Sequence, residues 1–224
     1  MLRLSEADHV LVTAAVTEAE RKSDGEIVTI VADRSDAYHD VGLHYAVLAM
    51  LLVPAMLAFV PQALIDWAMG QMLGWNAMLT RGTLMALLFI KLTAVFLIVR
   101  YALAYMPLRL ALTPGATKAR RVRRRAVQYF KVGAERRTVG RTGVLLYLSL
   151  AEHRAEIVAD QAIHSKVAPE TWGDAMAVLI VAVKAGQPGE GMAKAVAMIG
   201  DVLAEHFPKS GTDRNELPDR LVEL

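Results

Sequence analysis

The stretch GVLLYLSLAEHRAEIVAD, residues 143–160, contains two apolar segments separated by three residues. Segments of this length joined by so short a connection are typical of neighbouring antiparallel strands. The stretch therefore predicts two strands, over residues 143–150 and 154–160, joined by the turn AEH.

Residues 4–33, on the N-terminal side, predict a helix followed by a strand. Ser5 and Asp8 have the spacing of a capping box, and Gly25 suits the position after a helix end. The strand over residues 26–33 has the centre IVTIVA, which is apolar on both faces, as in a strand covered from two sides.

Two amphipathic helices are predicted after the strand pair, over residues 169–185 and 191–207, with the breaker GQPGEG between them. A further helix is predicted to begin within residues 36–44, and another contains RRRAVQYFKVG, residues 123–133. Strands set between helices predict an α/β sandwich, with the sheet between helical layers. Residues 208–224 are polar with two prolines and predict a loose tail.

The apolar residues, 54% of the chain, are concentrated in two long runs. Residues 45–65 carry no charge, and residues 84–106 contain only Lys91 and Arg100. A bilayer is crossed by about 20 residues of helix, so both runs predict transmembrane spans. Arg100 lies near a span end, whereas Lys91 lies deeper and predicts contact with an acidic partner in the membrane, or a side chain that reaches the interface.

Two spans joined by a short segment predict a hairpin inserted in one folded domain. The predicted parts are residues 1–42 and 107–207 for the domain, 43–106 for the hairpin and 208–224 for the tail. Eleven Lys or Arg and one acid lie between Arg109 and Arg141, so the positive-inside rule predicts that both termini and the domain are cytoplasmic. Residues 1–24 are polar, and we expect no cleaved signal peptide.

The stretch KARRVRRR, residues 118–125, is the densest cationic block of the chain. Four to eight Lys or Arg beside a span are typical of contact with anionic lipid head groups. Nucleic acid is a less favoured partner, since few aromatic residues accompany the block. An acidic protein partner also remains as a less favoured alternative. The residues predicted to contact lipid are Lys118, Arg120, Arg121, Arg123, Arg124 and Arg125.

Several strings, in this order, resemble the TPM-domain family. They are LSEAD, EAERKSDGEIVTIVAD, AVQYFKVG, TGVLLYLSLAEHRAEIVAD and the final helix pair ending in HFP. The resemblance covers nearly all of the chain outside the hairpin and implies a TPM-like α/β/α sandwich interrupted by a two-helix transmembrane hairpin. The chain is similar to a bacterial inner-membrane branch of this family, whose members have such a hairpin and no assigned activity.

The family is associated with divalent-cation binding and phosphatase-like activity. Gly140 and Gly143 fit the family's approach to its second strand, while Thr142 stands where Asn is frequent. Asp160, Gln161 and Ala162 replace a glycine-rich G-x-G after the third strand, and this departure counts against a simple transfer of catalysis.

A cation site is nevertheless a hypothesis at the strand ends. Glu152 and Asp160 are candidate oxygen ligands for Ca²⁺ or Mg²⁺, and Arg141 and Arg154 are candidate phosphate contacts. Solvated loop charges are the alternative explanation, and it carries more weight.

The string DAYHD suggests a second, weaker metal cluster. On a helix its spacing would place Asp36, His39 and Asp40 on one face. The sequence contains no H-E-x-x-H, Walker, nucleophile-elbow or Rossmann motif.

The favoured prediction is a membrane protein that displays a cytoplasmic TPM-like domain. Its role would be to bind a protein partner or to assist membrane-protein assembly or turnover, alone or as a homo-oligomer. A metal-dependent phosphatase-like hydrolase and a lipid- or nucleic-acid-binding module are the alternatives.

Overall fold

The chain divides at residues 38 and 113 into two units. The computed structural model describes residues 4–73, 80–133, 142–210 and 219–224. The chain before residue 38 and after residue 113 forms the α/β unit, and residues 38–113 form the helical unit. The insertion is therefore longer than the predicted residues 43–106 at both ends.

The first helix and strand of the α/β unit agree with the sequence prediction. Helix α1 spans Glu6–Lys22, and the Ser5 and Asp8 side chains form the capping box that their spacing predicts. Strand β1 spans Glu26–Ala32, and every one of its residues is buried.

The helical unit contains α2 (His39–Leu57), α3 (Gln62–Leu73), α4 (Arg81–Ala102) and α5 (Met106–Leu112). The first apolar run, residues 45–65, does not form one continuous helix, because α2 ends at Leu57 and α3 begins at Gln62. Pro61 disfavours helical geometry at the residue before it. The second run likewise stops at Ala102, and α5 begins anew with Pro107 in its first turn.

The two ends of the helical unit lie side by side. A Cβ on Gly42 would lie 3.6 Å from Leu103 Cβ, and the Tyr45 hydroxyl donates to the Leu112 carbonyl over 3.1 Å. The start of α2 thus adjoins the end of α4, and the two helices pack antiparallel. These contacts explain why residues 38–42 and 107–113 belong to the insertion.

The chain then re-enters the α/β unit through helix α6, Gly115–Gly133. Strands β2 (Gly143–Ser149) and β3 (Arg154–Ala159) follow and pair antiparallel, which confirms the predicted strand pair. The turn between them contains His153, whose φ of 47° lies in the left-handed region.

The remaining helices are α7 (Gln161–His164), α8 (Gly173–Lys184) and α9 (Pro188–His206), with a 3-10 turn over Pro169–Trp172. The sequence predicts α8 and α9 with slightly different ends and misses the single turn of α7.

The four-stranded sheet is mixed, in the order β3-β2-β1-β4, where β4 spans Val222–Glu223 and β1 is parallel to β2. Side chains alternate along β1 between two cores, because successive residues of a strand point to opposite faces. Val28 and Ile30 pack with α6 residues such as Val122, while Ile27 and Val31 pack with α1, α8 and α9. The fold is a mixed α/β fold with more helix than strand.

The last six residues correct the prediction of a loose tail. Strand β4, Val222–Glu223, pairs parallel with β1, and Leu221 is buried in the core. The Thr17 hydroxyl donates to Asp219 over 2.9 Å. These few apolar residues suffice because β1 offers them an edge at which to pair.

Candidate functional site

The carboxyl ends of the parallel strands β1 and β2 carry a network of buried polar groups. Glu152 is 6% exposed; one carboxylate oxygen accepts the Ser35 N–H over 3.0 Å and the other accepts the Ser149 hydroxyl. The predicted ligand Glu152 therefore ties the loop after β1 to the loop after β2. Its oxygens satisfy buried donors of the protein.

Asp160, the second predicted ligand, lies at the opposite end of β3. Its carboxylate accepts the Gly143 N–H over 3.1 Å, and it is 7% exposed. Glu152 precedes β3 and Asp160 follows it, so the six strand residues between them extend about 20 Å. The structure does not bring the two carboxylates into one site.

Within the described ranges, no three His, Asp or Glu residues form a group that could hold a metal ion. Glu152 and Asp160 therefore cannot bind one Ca²⁺ or Mg²⁺ ion together, since the ligand oxygens of such ions lie about 2.0–2.6 Å from the metal.

The two arginines predicted to contact phosphate have different outcomes. Arg141 lies outside the described residues. Arg154 begins β3 at the same end as Glu152, and its Nη2 is 3.4 Å from the position that a Cβ on Gly115 would take. Arg154 is thus beside the start of α6 rather than beside Asp160.

The predicted cluster over DAYHD does not form as a helical face. Helix α2 begins at His39, so Asp36 is not on it. Asp36 instead pairs with Arg121 at 2.9 Å and Arg124 at 3.4 Å, while His39 Nδ1 lies 3.2 Å from Arg109 Nη1. Asp36 is therefore an ion-pair partner of the cationic residues 118–125 rather than part of a metal site.

Helix α6 separates its cationic residues into two groups. Arg121 and Arg125 are half-buried: Arg121 pairs with Asp36, and Arg125 donates to the Ser35 carbonyl over 3.1 Å. Lys118 is also half-buried. The exposed group contains Arg120, Arg123, Arg124 and Lys131.

Contacts with acidic residues differ within the exposed group. Arg123 lies 3.4 Å from Glu156, and Arg124 reaches Asp36 with 67% of its side chain still exposed. Burial raises the pKa of the Glu156 carboxyl, and the charge of Arg123 opposes that rise.

Sequence reasoning missed Ser35 and Tyr147, which organise the core beneath α6. Their hydroxyl oxygens lie 3.0 Å apart, and the ring of Tyr129 is 5.8 Å from that of Tyr147. Burial raises the pKa of the Tyr147 phenol. The available signal was a tyrosine in the otherwise aliphatic run VLLYL, since a buried hydroxyl needs a partner.

Sequence reasoning also missed Glu20, a carboxyl group in the core next to β1. One oxygen accepts the Ile27 N–H over 2.8 Å, and the other has no hydrogen-bond partner among the described residues. Burial raises the pKa of Glu20 from 4.5 to about 8. The signal was its spacing, since residues 12, 16 and 20 share one helical face.

Helices α2 and α4 are each long and apolar enough to cross a membrane. Lys91, the eleventh residue of α4, is exposed. Among the described residues it has no hydrogen bond or ion pair. Arg100 lies in the last turn of α4. The predicted partner-contact residue thus lies midway along an apolar helix.

The chain is similar in structure to the BA42 protein of the psychrophilic bacterium Bizionia argentinensis, solved by NMR. The TM-score is 0.56 at 15% sequence identity, over 99% of this chain and 95% of that one. Together with the strings quoted above, this likeness supports a TPM-like fold, and at this identity it carries nothing about activity. No protein-family model matches the chain, and no curated protein matches it significantly.

Proposed function

We propose that the protein is a membrane-anchored binding module in which α2 and α4 cross the bacterial inner membrane and the TPM-like α/β unit lies in the cytoplasm. The observation that carries the proposal is the surface of α4. This helix has 22 residues, its most apolar window has a mean hydropathy of 2.3, and none of that window is buried.

Water is a poor solvent for such a surface. Phe89 is 69% exposed, Ile90 61% and Ile98 68%, and they lie on a helix that also leaves Met85 and Leu97 open. Exposed apolar area costs about 25 cal/mol per Å², and continuous patches of this kind are typical of surfaces that contact lipid or another protein. A bilayer covers all of α4 at once.

Orientation in this proposal follows from the charges that flank the spans. The cationic helix α6 comes directly after the insertion, whereas the segment between α2 and α4 carries only Asp66 and the arginine that begins α4. Cationic residues near span ends remain in the cytoplasm. Both halves of the α/β unit then lie on the same side, as the pairing of β1 with β2 requires.

A protein partner or a second copy is the expected ligand of the module, with anionic lipid contacting α6. The hydrolase alternative gains no support from the positions of Glu152 and Asp160, which lie at opposite ends of β3. Full-length protein with Mg²⁺, Mn²⁺ or Ca²⁺ and a generic phosphoester tests it. We expect no turnover, and turnover lost in both Glu152→Gln and Asp160→Asn would contradict the proposal.

Alkaline extraction of membranes tests the anchor. We expect the full-length protein to remain with the lipid pellet. Ile90→Asp combined with Leu97→Asp should release it, because a carboxylate at the span centre, as at residue 90, costs about 3 kcal/mol and the one at residue 97 adds a smaller cost. Val10→Asp, at a residue 63% exposed on α1, is the matched control and should remain in the pellet. Extraction of the unaltered protein by alkali would overturn the proposal.

A further inference from the structure

We propose that the face of α4 containing Lys91 docks a transmembrane helix of another protein that carries a carboxylate near its midpoint. The inference rests on the proposed function, because it requires that α4 lies in the bilayer. The partner would carry one buried acidic side chain in an otherwise apolar helix.

The depth of Lys91 is the first argument. At 1.5 Å per residue, the 22 residues of α4 extend about 33 Å, close to the thickness of the hydrocarbon core. Lys91 is the eleventh of them, so each end of the helix is about 15 Å away. An ammonium group at that depth is far from both interfaces and is strongly favoured to pair with an anion.

The lack of an internal partner is the second argument. The sequence of the helical unit contains two acidic residues, Asp40 and Asp66. Asp40 is in the first turn of α2, beside the end of α4 near Leu103, which is about 18 Å along the axis from Lys91. Asp66 lies in α3, beyond the break that ends α2, and accepts a hydrogen bond from Gln62 over 2.8 Å.

The same reasoning excludes a second copy as the source of the carboxylate. An identical hairpin in the same orientation would present its own Asp40 and Asp66 at these same depths, away from the level of Lys91. Like ammonium groups would then face each other at the centre of a symmetric α4 pair. The occupant is therefore a different chain with an acidic residue at mid-depth.

The flanking side chains suit a helix as the occupant. Lys91 is exposed together with Leu84 and Ile98, each seven residues away and thus on the same side of α4. A partner helix can pack along this row, with its carboxylate opposite Lys91 and apolar contacts above and below. Polar contacts of this kind between spans contribute modestly to association but fix the partner and the register.

The test measures association of the full-length protein with synthetic helices in phosphatidylcholine vesicles by energy transfer. The probes are 22-residue Leu/Ala peptides with Glu at position 11, with Leu at position 11, or with Glu at position 3. We expect the central-Glu peptide to associate about threefold to tenfold more tightly than the other two, the range that interhelical polar contacts give.

Substitutions of Lys91 test whether its ammonium group causes the preference for the central-Glu peptide. Lys91→Leu should remove the preference, Lys91→Arg should retain it, and Lys91→Glu should transfer it to a peptide with a central Lys. Arg100→Leu, a cation in the last turn of the same helix, is the matched control and should change nothing. Equal binding of the three peptides, or a preference that survives Lys91→Leu, overturns the inference.

Resistance of each variant to alkaline extraction separates this inference from the proposed function. If all variants stay in the membrane and the peptide preference is missing, only the docking site is wrong. If the unaltered protein is extracted by alkali, the anchor and the docking site are both wrong.

Discussion

A carboxyl group lies in the core at Glu20 because the helical periodicity that buries Val12 and Val16 also buries residue 20. Glu26 and Asp219 add negative charge nearby, and burial is the largest cause of the raised pKa of Glu20. An unfolded glutamate loses its proton near pH 4.5, whereas the folded one keeps it up to about pH 8.

Stability should therefore fall as pH rises through this window. The contribution of Glu20 to the free energy of unfolding is fully present below pH 4.5 and is lost by about pH 8. Within this window the free energy of unfolding falls by up to about 1.4 kcal/mol per pH unit. Glu20→Gln stays neutral and keeps an oxygen for the Ile27 N–H. We expect it to flatten the pH dependence and to raise the free energy of unfolding at pH 8.

Urea unfolding of the full-length protein in detergent micelles, at pH 5 and pH 8, measures this effect. Glu18→Gln is the matched control, since that side chain is 53% exposed in the same helix. If the free energy of unfolding of Glu20→Gln depends on pH as strongly as that of the unaltered protein, another group causes the pH dependence.

Residue-level prediction from sequence succeeded where chemistry is local. The capping box at Ser5 needs only two residues three positions apart, and it is present. Glu152 and Asp160 flank the one strand β3, so the length of that strand places them at opposite ends, and the predicted pairing of the two carboxylates failed on local geometry. The contact between Asp36 and α6 spans the whole insertion and has no local signal in the sequence.

At the scale of elements, α1 and α9 approach each other closely through small residues. A Cβ on Gly200 would lie 2.5 Å from Ala19 Cβ, which is shorter than a van der Waals contact. Gly200→Ala should thus lower the free energy of unfolding by about 1–3 kcal/mol, through overpacking.

A second substitution checks the cause. Ala19→Gly should recover part of the loss in the Gly200→Ala background and cost stability alone, which gives a coupling energy in a double-mutant cycle. Gly173→Ala, where an added Cβ meets nothing within 4 Å, should be close to neutral. Additive effects of the two changes would contradict the clash. Denaturant unfolding measures all four variants.

Helix α6 predicts lipid contact through its exposed line of cations rather than through the whole block. Arg120, Arg124 and Lys131 lie four and seven residues apart, on the side opposite Val122 and Phe130. Each adds roughly 1 kcal/mol near an anionic surface.

An environment-sensitive fluorophore on Gln128→Cys reports this contact in nanodiscs. We expect an emission shift when phosphatidylglycerol is added to phosphatidylcholine, and its loss at high salt or on neutralising the three cations to Gln. Replacing the exposed cations Arg21, Lys22 and Lys194 instead should preserve the shift. A shift that is independent of phosphatidylglycerol would argue against head-group contact.

At the scale of the whole molecule, the proposed topology places the α/β unit on one side of the membrane and α3 on the other. The chain contains no cysteine, so single introduced cysteines can be labelled without background. Glu18→Cys and Glu170→Cys should resist an impermeant maleimide in intact cells, and Ala63→Cys should react.

Permeabilised cells provide the control, since all three sites are exposed and should then react. Equal labelling of Glu18→Cys and Ala63→Cys in intact cells would contradict a hairpin. Labelling of Glu18→Cys but not of Ala63→Cys would indicate the opposite orientation, with the α/β unit outside the cytoplasm.

Composition and the period of the apolar residues predicted a mixed α/β fold and two long apolar helices, because apolar runs and strand pairs are visible along the chain. They did not predict β4, since two residues have no period and gain their structure from the edge of β1. The end of α2 at Leu57 was missed because hydropathy alone does not register the effect of Pro61 on the helix.

The parallel pairing of Glu26 with Gly143 has a consequence for synthesis. The ribosome makes β1 first, and its neighbour β2 follows only after the entire insertion, a delay of roughly 5–20 seconds at cellular translation rates. During that delay a seven-residue apolar strand has no neighbour with which to share its amide groups. The exposed strand β1 must be kept from aggregating during this delay. Helix α1, which is synthesised just before β1, is the first element that can cover it.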